Sequence, residues 1–131
     1  MSNLKEDYVS FEVAKLLKEK HFPQDRGSYN HIPYYDEYGN LYEDEQNHIK
    51  THYCAAVAPT QQMAMRFIRE CTNYEPHVYC SAVQENGQRL YSYYIYNVVD
   101  ANEKSIQDHG FVAFEDAVDE MLLYALKNLK L

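Results

Sequence analysis

The chain of 131 residues contains no tryptophan, only four glycines and four prolines, and three cysteines. It has no P-loop, no GxGxxG and no GxSxG motif, which excludes a glycine-rich phosphate cradle and a serine-hydrolase elbow. No apolar run approaches the ~20 residues that span a bilayer. The first residues, MSNLKEDYVSFEV, have neither the basic nor the apolar region of a signal peptide. We therefore expect a cytoplasmic protein that has no contact with a membrane.

The cysteines, Cys54, Cys71 and Cys80, are odd in number and form no CxxC pair. Each lies in an apolar or helical context, where burial raises the pKa of a thiol and suppresses its reactivity. We expect buried, reduced thiols rather than a disulfide, a metal cluster or a catalytic nucleophile. The sequence predicts no cofactor.

Positive charge is also scarce, with 12 Lys and Arg against 20 Asp and Glu and a net charge of −8. A chain of this charge repels a phosphate backbone, so ordinary nucleic-acid binding is disfavoured. Acidic mimicry of nucleic acid is left open, but it requires carboxylates spread along one face. The length and the 46% hydrophobic content indicate one globular domain covering residues 1–131.

Three segments have the apolar period of amphipathic helices. The first covers about residues 10–20 with Ser10 as its N-cap, the second follows Thr60, and the third runs from about 114 to 129. Their apolar positions are, in order, Phe11, Val13, Ala14, Leu16 and Leu17; then Ala64, Phe67, Ile68 and Cys71; then Phe114, Ala117, Val118, Met121, Leu122, Ala125 and Leu129.

Short strands are predicted at 34–36, 41–43 and 53–57, and residues 44–50 are predicted as a loop. A longer hairpin covers 77–97, because Asn86-Gly87 lies between alternating residues. The element order is therefore α-ββ-α-ββ-α. It predicts an α+β fold of two layers, in which an antiparallel sheet from two hairpins packs against three helices.

A two-residue loop at Asn86-Gly87 sets a register that pairs Val83 with Leu90 and Val78 with Ile95. One face of the hairpin then carries Val78, Cys80, Ala82, Tyr91, Tyr93 and Ile95 and is the predicted core face. The opposite face, named the aromatic face, carries His77, Tyr79, Ser81, Ser92, Tyr94 and Tyr96. The chain has 14 tyrosines, whose rigid rings and polar tips suit recognition surfaces. The aromatic face either binds a partner or is covered by the first hairpin or a neighbouring chain, so a homo-oligomer is possible.

The segment from Asp36 to His52 offers a second candidate site. Its five carboxylates are those of Asp36, Glu37, Glu43, Asp44 and Glu45, and the spacing of an EF-hand is absent, so we expect a solvated loop. A metal site at Asp44, His48 and His52, with His31 or His109, is the weaker alternative. HEXXH is missing, and on a strand His48 and His52 are about 13 Å apart.

Three blocks, VSFEVAKLLKEKHF, APTQQMAMRFIRE and FEDAVDEMLLYALKNL, cover about a third of the chain. They resemble a family of small uncharacterised proteins of gut Bacteroidales and their phages, and the APTQQMAMRFIRE block is the most specific. The resemblance implies an accessory role in infection, and the family has no established activity to carry over. The segment from Asp36 to His52 departs most from the family.

The sequence thus favours a non-enzymatic binding module that engages a host protein or a small ligand through the aromatic face. The alternative is a small metal-dependent hydrolase that uses the segment from Asp36 to His52. An enzyme should bring two or more titratable groups together in one cleft, whereas a binding module should present an aromatic patch without them.

Overall fold

The computed structural model describes residues 7–24, 33–43 and 54–130. Three helices and six strands lie in these ranges. The helices are α1 (Phe11–Glu19), α2 (Gln61–Cys71) and α3 (Phe114–Asn128), and the strands are β1 (Tyr34–Tyr35), β2 (Leu41–Tyr42), β3 (Ala56–Val57), β4 (Tyr74–Val83), β5 (Arg89–Asn97) and β6 (Ile106–Phe111).

The α+β class is confirmed, and the strands form two antiparallel sheets of three strands each, in the orders β2-β1-β3 and β4-β5-β6. The chain divides into two compact units, residues 1–64 and 65–131. The single-domain organisation stays a prediction. Within the described ranges, no helix combines the length and the apolarity that crossing a membrane requires.

The first unit is built from α1 and the β2-β1-β3 sheet. Ser10 caps α1 as predicted, because its hydroxyl accepts a hydrogen bond from the backbone N–H of Val13 at 3.3 Å. Val13, Ala14 and Leu17 are fully buried. Lys18 ties the helix to the residue before β3 by donating to the carbonyl of Ala55 at 2.8 Å. The buried faces of helix and sheet form the core of this unit.

The buried stripe of α2 differs from the predicted one. Ala64 and Ile68 are buried as expected, but so is Met65, whereas Phe67 is half-buried and Cys71 is exposed. The sequence is apolar at 63–65 and again at 67–68, so two neighbouring phases of the helix fit it almost equally well. Cys71 is the last residue of the helix, and the expectation that this thiol is buried is wrong.

In the second unit α3 packs on the β4-β5-β6 sheet. The predicted stripe of α3 is confirmed, with Leu126 added and Phe114 half-buried; the buried residues are Ala117, Val118, Met121, Leu122, Ala125, Leu126 and Leu129. Phe114 meets the ring of Tyr91 edge-on at 5.7 Å. Tyr93 and Ile95 follow the half-buried Tyr91 on the same face of β5 and are buried. This face is the core side of the sheet.

Burial raises the pKa of the Tyr93 hydroxyl above its ordinary value, and the carboxylates of Asp108 and Glu120 raise it further. The phenol is therefore neutral at physiological pH. A neutral hydroxyl is compatible with a place beneath α3, because burial penalises the charged form.

Strand β6 was not predicted. Its sequence, IQDHGF, has one β-branched residue and a glycine, so it lacks the alternation by which strands are identified. The strand forms by pairing with β5, with Tyr94 opposite Gln107 and Ile95 opposite Ile106. A register shift between Tyr91 and Tyr93 accommodates one extra residue in β6, where Gly110 has a φ of +89°.

The predicted register of the β4-β5 hairpin is wrong. Ala82 lies opposite Leu90, and after a bulge at Ser81, Val78 lies opposite Tyr93. The loop has three residues rather than two: Gly87 N–H donates to the carbonyl of Gln84 at 2.9 Å, and the N–H of Gln84 donates to the carbonyl of Gln88 at 2.8 Å. Below the bulge the partners are displaced by two residues. Because this displacement is even, the side chains below the bulge stay on their predicted faces. Above the bulge the displacement is one residue, so Ala82 leaves the predicted core face.

Gly87 closes the hairpin loop with a φ of +86°, a conformation that costs an L-residue about 1–2 kcal/mol. A Cβ at this position meets no atom within 4 Å, so the cost of Gly87→Ala comes from the backbone alone. We expect Gly87→Ala to lower the free energy of unfolding by about 1–2 kcal/mol in urea titrations. Gly87→Asn should cost less, because asparagine tolerates this region. Equal stability of the alanine variant and the wild type would contradict the three-residue loop.

The observed phase of α2 is tested by a matched pair of substitutions. Ile68 is fully buried, so Ile68→Ala should lower the free energy of unfolding by about 2–5 kcal/mol. Cys71 is exposed, so Cys71→Ser should change it by no more than about 0.5 kcal/mol. Denaturant unfolding of both variants measures the difference, and comparable losses would restore the predicted phase.

Candidate functional site

Four rings lie side by side on the aromatic face of the β4-β5 hairpin. The ring centroid of Tyr94 is 4.9 Å from that of His77, 5.7 Å from that of Tyr79 and 5.5 Å from that of Tyr96. His77 and Tyr79 are themselves 6.0 Å apart and nearly parallel, at 24°. Tyr94 is therefore the centre of one continuous aromatic cluster.

The cluster is open to solvent. Tyr79 and Tyr96 are 40% and 37% exposed, His77 is exposed, and Tyr94 is half-buried among the other rings. The alternation of a β-strand explains this placement, because residues 77 and 79 of β4 and residues 94 and 96 of β5 point away from the core side that α3 covers. Aromatic rings that are held rigidly and remain exposed offer contact area at a small entropic cost.

The two predicted serines lie at the end of the cluster that is nearer the hairpin loop, and they differ in exposure. Ser81 occupies the bulge of β4 and is exposed, whereas Ser92 is only 3% exposed. The Ser92 hydroxyl donates to the Ser81 hydroxyl at 2.7 Å, and Ser81 donates to the carbonyl of Leu90 at 3.3 Å. The buried Ser92 therefore holds Ser81 in place by a hydrogen bond, and of the two serines only Ser81 is accessible to solvent.

Two further residues belong to this face, and sequence analysis missed both. Glu75 lies opposite Tyr96, and Gln107 of the unpredicted β6 lies opposite Tyr94. Glu75 precedes His77 by two positions, so a hairpin extended by two more pairs would have included it. No comparable signal points to Gln107, because its strand depends on pairing with β5.

The acidic segment is described only in part. Asp44 and Glu45 lie outside the described residues, Glu37 and Glu43 are exposed, and Asp36 is buried. One oxygen of Asp36 accepts from the backbone N–H groups of Tyr38 and Asn40, at 2.9 Å each, and the other accepts from the Asn40 amide at 3.0 Å and the Tyr42 hydroxyl at 3.2 Å. The carboxylate thus holds the β1-β2 turn closed and is not available to a ligand.

The electrostatics of Asp36 follow from these hydrogen bonds. Burial by itself raises the pKa of Asp36, but the hydrogen bonds from Asn40, Tyr38 and Tyr42 favour the charged form and together bring the pKa below its ordinary value. Burial and the bond to Asp36 raise the pKa of the Tyr42 hydroxyl. A charged carboxylate bound to neutral donors is the arrangement of a structural turn.

The alternative metal site cannot be assembled from the described part of the chain. Asp44, His48, His52 and His31 lie outside it, and His109 is exposed on β6. Among residues 7–24, 33–43 and 54–130, no group of three or more His, Cys, Asp or Glu side chains is arranged to hold a metal ion.

The cysteines differ from their predicted state. All three are free thiols, but Cys71 and Cys80 are exposed and Cys54 is half-buried. Cys80 lies at the bulge of β4, with its sulfur 3.4 Å from the carbonyl oxygen of Ala82. The expectation of buried thiols is wrong because Cys71 ends a helix and Cys80 belongs to the exposed end of a hairpin.

Comparisons with known proteins return no match: no protein-family model, no curated protein and no solved structure matches the chain. The site is therefore interpreted from its own geometry.

The role of Asp36 predicts a pH dependence of stability. Its pKa in the folded chain is lower than in the unfolded chain, so its contribution is complete above about pH 4 and is lost as the pH falls through the folded-state pKa. We expect Asp36→Asn to lower the free energy of unfolding at pH 7 and to flatten its decline below about pH 4. Urea unfolding across this range measures both effects.

The control for Asp36 is Glu37→Gln, which removes a neighbouring carboxylate that is exposed. This variant should follow the wild-type profile. If the free energy of unfolding of Asp36→Asn falls as steeply as that of the wild type when the pH is lowered, the carboxylate does not stabilise the turn as described.

Proposed function

We propose that the chain is a non-enzymatic binding module whose working surface is the aromatic face. The observation that carries the proposal is the continuous cluster of His77, Tyr79, Tyr94 and Tyr96, which the β4-β5 hairpin holds open to solvent. Tyrosines in such positions are enriched at recognition surfaces, where each combines a large apolar area with a polar tip. The binding partner is a host protein or a small ligand.

The setting of this function is also part of the proposal. The sequence resemblance to proteins of gut Bacteroidales and their phages supports a phage-associated accessory role. Action in the cytoplasm is part of the same proposal. The net charge of −8 argues against nucleic acid as the partner.

The chemistry of the face favours binding over catalysis. His77 supplies the one imidazole of the ring cluster, and its ring neighbours there are the tyrosines Tyr79 and Tyr94. Acid-base catalysis requires at least two groups that converge on one reacting atom. The one carboxylate on this face, that of Glu75, lies opposite Tyr96, whereas His77 lies opposite Tyr94 and stacks among phenol rings, so the face is arranged for contact rather than for proton transfer.

The test compares two double variants of the full chain. Tyr79→Ser with Tyr96→Ser removes the exposed rings of the aromatic face, and Tyr38→Ser with Tyr124→Ser removes two exposed tyrosines elsewhere. Aromatic anchors contribute about 2 kcal/mol or more each, so the first variant should weaken binding by about 1,000-fold. Affinity capture from host lysate, together with native mass spectrometry for retained small molecules, measures binding. Circular dichroism confirms that both variants fold.

Loss of a bound species in the first variant, with its retention in the second, is the expected result. A third variant, with Asp44, His48 and His52 changed to alanine, tests the metal-dependent hydrolase. If that variant loses binding or activity while Tyr79→Ser with Tyr96→Ser keeps it, the aromatic face is not the working surface.

A further inference from the structure

The register extends the aromatic face across all three strands of the second sheet. In one row Glu75 lies opposite Tyr96, in the next His77 lies opposite Tyr94, and Tyr94 in turn lies opposite Gln107. Cβ atoms of directly opposed residues are about 4.5–5.5 Å apart, so the carboxylate of Glu75 borders the aromatic cluster. The face therefore combines π-systems, one carboxylate and one carboxamide.

The charge of this surface has one sign. Among the residues that the described strands place on it, none is lysine or arginine, and Glu75 is the single formal charge. The faces of tyrosine rings carry the negative end of a quadrupole, which attracts cations. The whole chain, at −8, adds a field of the same sign. The surface is complementary to a cationic partner.

We infer that the aromatic face binds an arginine side chain on an exposed segment of a partner protein, with the guanidinium stacked on a tyrosine ring beside Glu75. This inference rests on the proposed function and names the class of its partner. A guanidinium is planar and weakly hydrated, so it stacks on an aromatic ring while its N–H groups reach a neighbouring carboxylate. A lysine ammonium is more strongly hydrated and bonds as a point charge, so it uses the same surface less well.

The position of Glu75 suits this role. Its side chain is half-buried at the border of the cluster, where a charge pair is screened by solvent less than on an open surface. Tyr94 and Tyr96 are tilted by only 31° at a centroid distance of 5.5 Å, so their rings offer neighbouring faces to one planar group. A stacked guanidinium would contact these rings and the carboxylate together.

The experiment uses three synthetic peptides with the same Gly-Ser backbone, capped at both ends, that carry two arginines, two lysines or two glutamines. Their affinities for the full chain are measured by isothermal titration calorimetry at 0.15 M salt. We expect the arginine peptide to bind about tenfold more tightly than the glutamine peptide, and the lysine peptide to be about threefold weaker than the arginine peptide.

Two matched variants separate this site from general attraction to an acidic protein. Glu75→Gln removes the carboxylate beside the rings, and Glu85→Gln removes an exposed carboxylate in the hairpin loop, about 30 Å away along β4. We expect Glu75→Gln to weaken the arginine peptide by about threefold to fivefold and Glu85→Gln to leave it unchanged. Tyr79→Ser with Tyr96→Ser should weaken it further.

Equal losses in Glu75→Gln and Glu85→Gln would overturn the inference, because the peptide would then respond to net charge alone. Equal affinity of the arginine and lysine peptides would exclude the stacked guanidinium. If the glutamine peptide binds as tightly as the arginine peptide, and only the tyrosine variant loses it, the partner class is wrong while the proposed function stands. If none of the three peptides binds, but capture of a host protein depends on Tyr79 and Tyr96, the partner class is again wrong and the proposed function stands.

Discussion

The packing of α3 on one side of the β4-β5-β6 sheet determines the character of the second unit. Met121, Leu122 and Leu126 of α3 and Ile95 of β5 are buried almost completely. Fully burying a side chain of this kind contributes about 1.5–3 kcal/mol. Because successive residues of a strand point to opposite sides, the same packing directs residues 77, 79, 94 and 96 away from the helix. Burial on one side and exposure of the aromatic face on the other have one cause.

The elements with local sequence signals were predictable. Ser10 and the apolar period define α1, and the long stripe from Ala117 to Leu129 defines α3, because both patterns act within a few turns of one helix. The division of the hairpin into two faces was also predictable, since it depends on alternation alone. What alternation could not give was the register, which depends on the loop length and on the bulge at Ser81.

Features that depend on distant pairing could not be found in the sequence. Strand β6 forms by pairing with β5. The donors to Asp36 are close in the chain, at Tyr38, Asn40 and Tyr42, but they converge on the carboxylate only when the turn is closed. Sequence analysis placed Asp36 with its acidic neighbours as a solvated group. Composition counts carboxylates but does not show which of them has both oxygens occupied by backbone and side-chain donors, and that difference separates a structural residue from a candidate ligand.

Stability and recognition are carried by opposite sides of the same strands. On the core side, a change in volume at Tyr93 or Ile95 would disturb the packing against α3. On the other side, Tyr79 and Tyr96 contact mainly their neighbouring rings, so a substitution there alters the surface without opening a cavity in the core. The hairpin can therefore present different chemistry on its aromatic face while the register, the bulge and the packing on α3 remain the same.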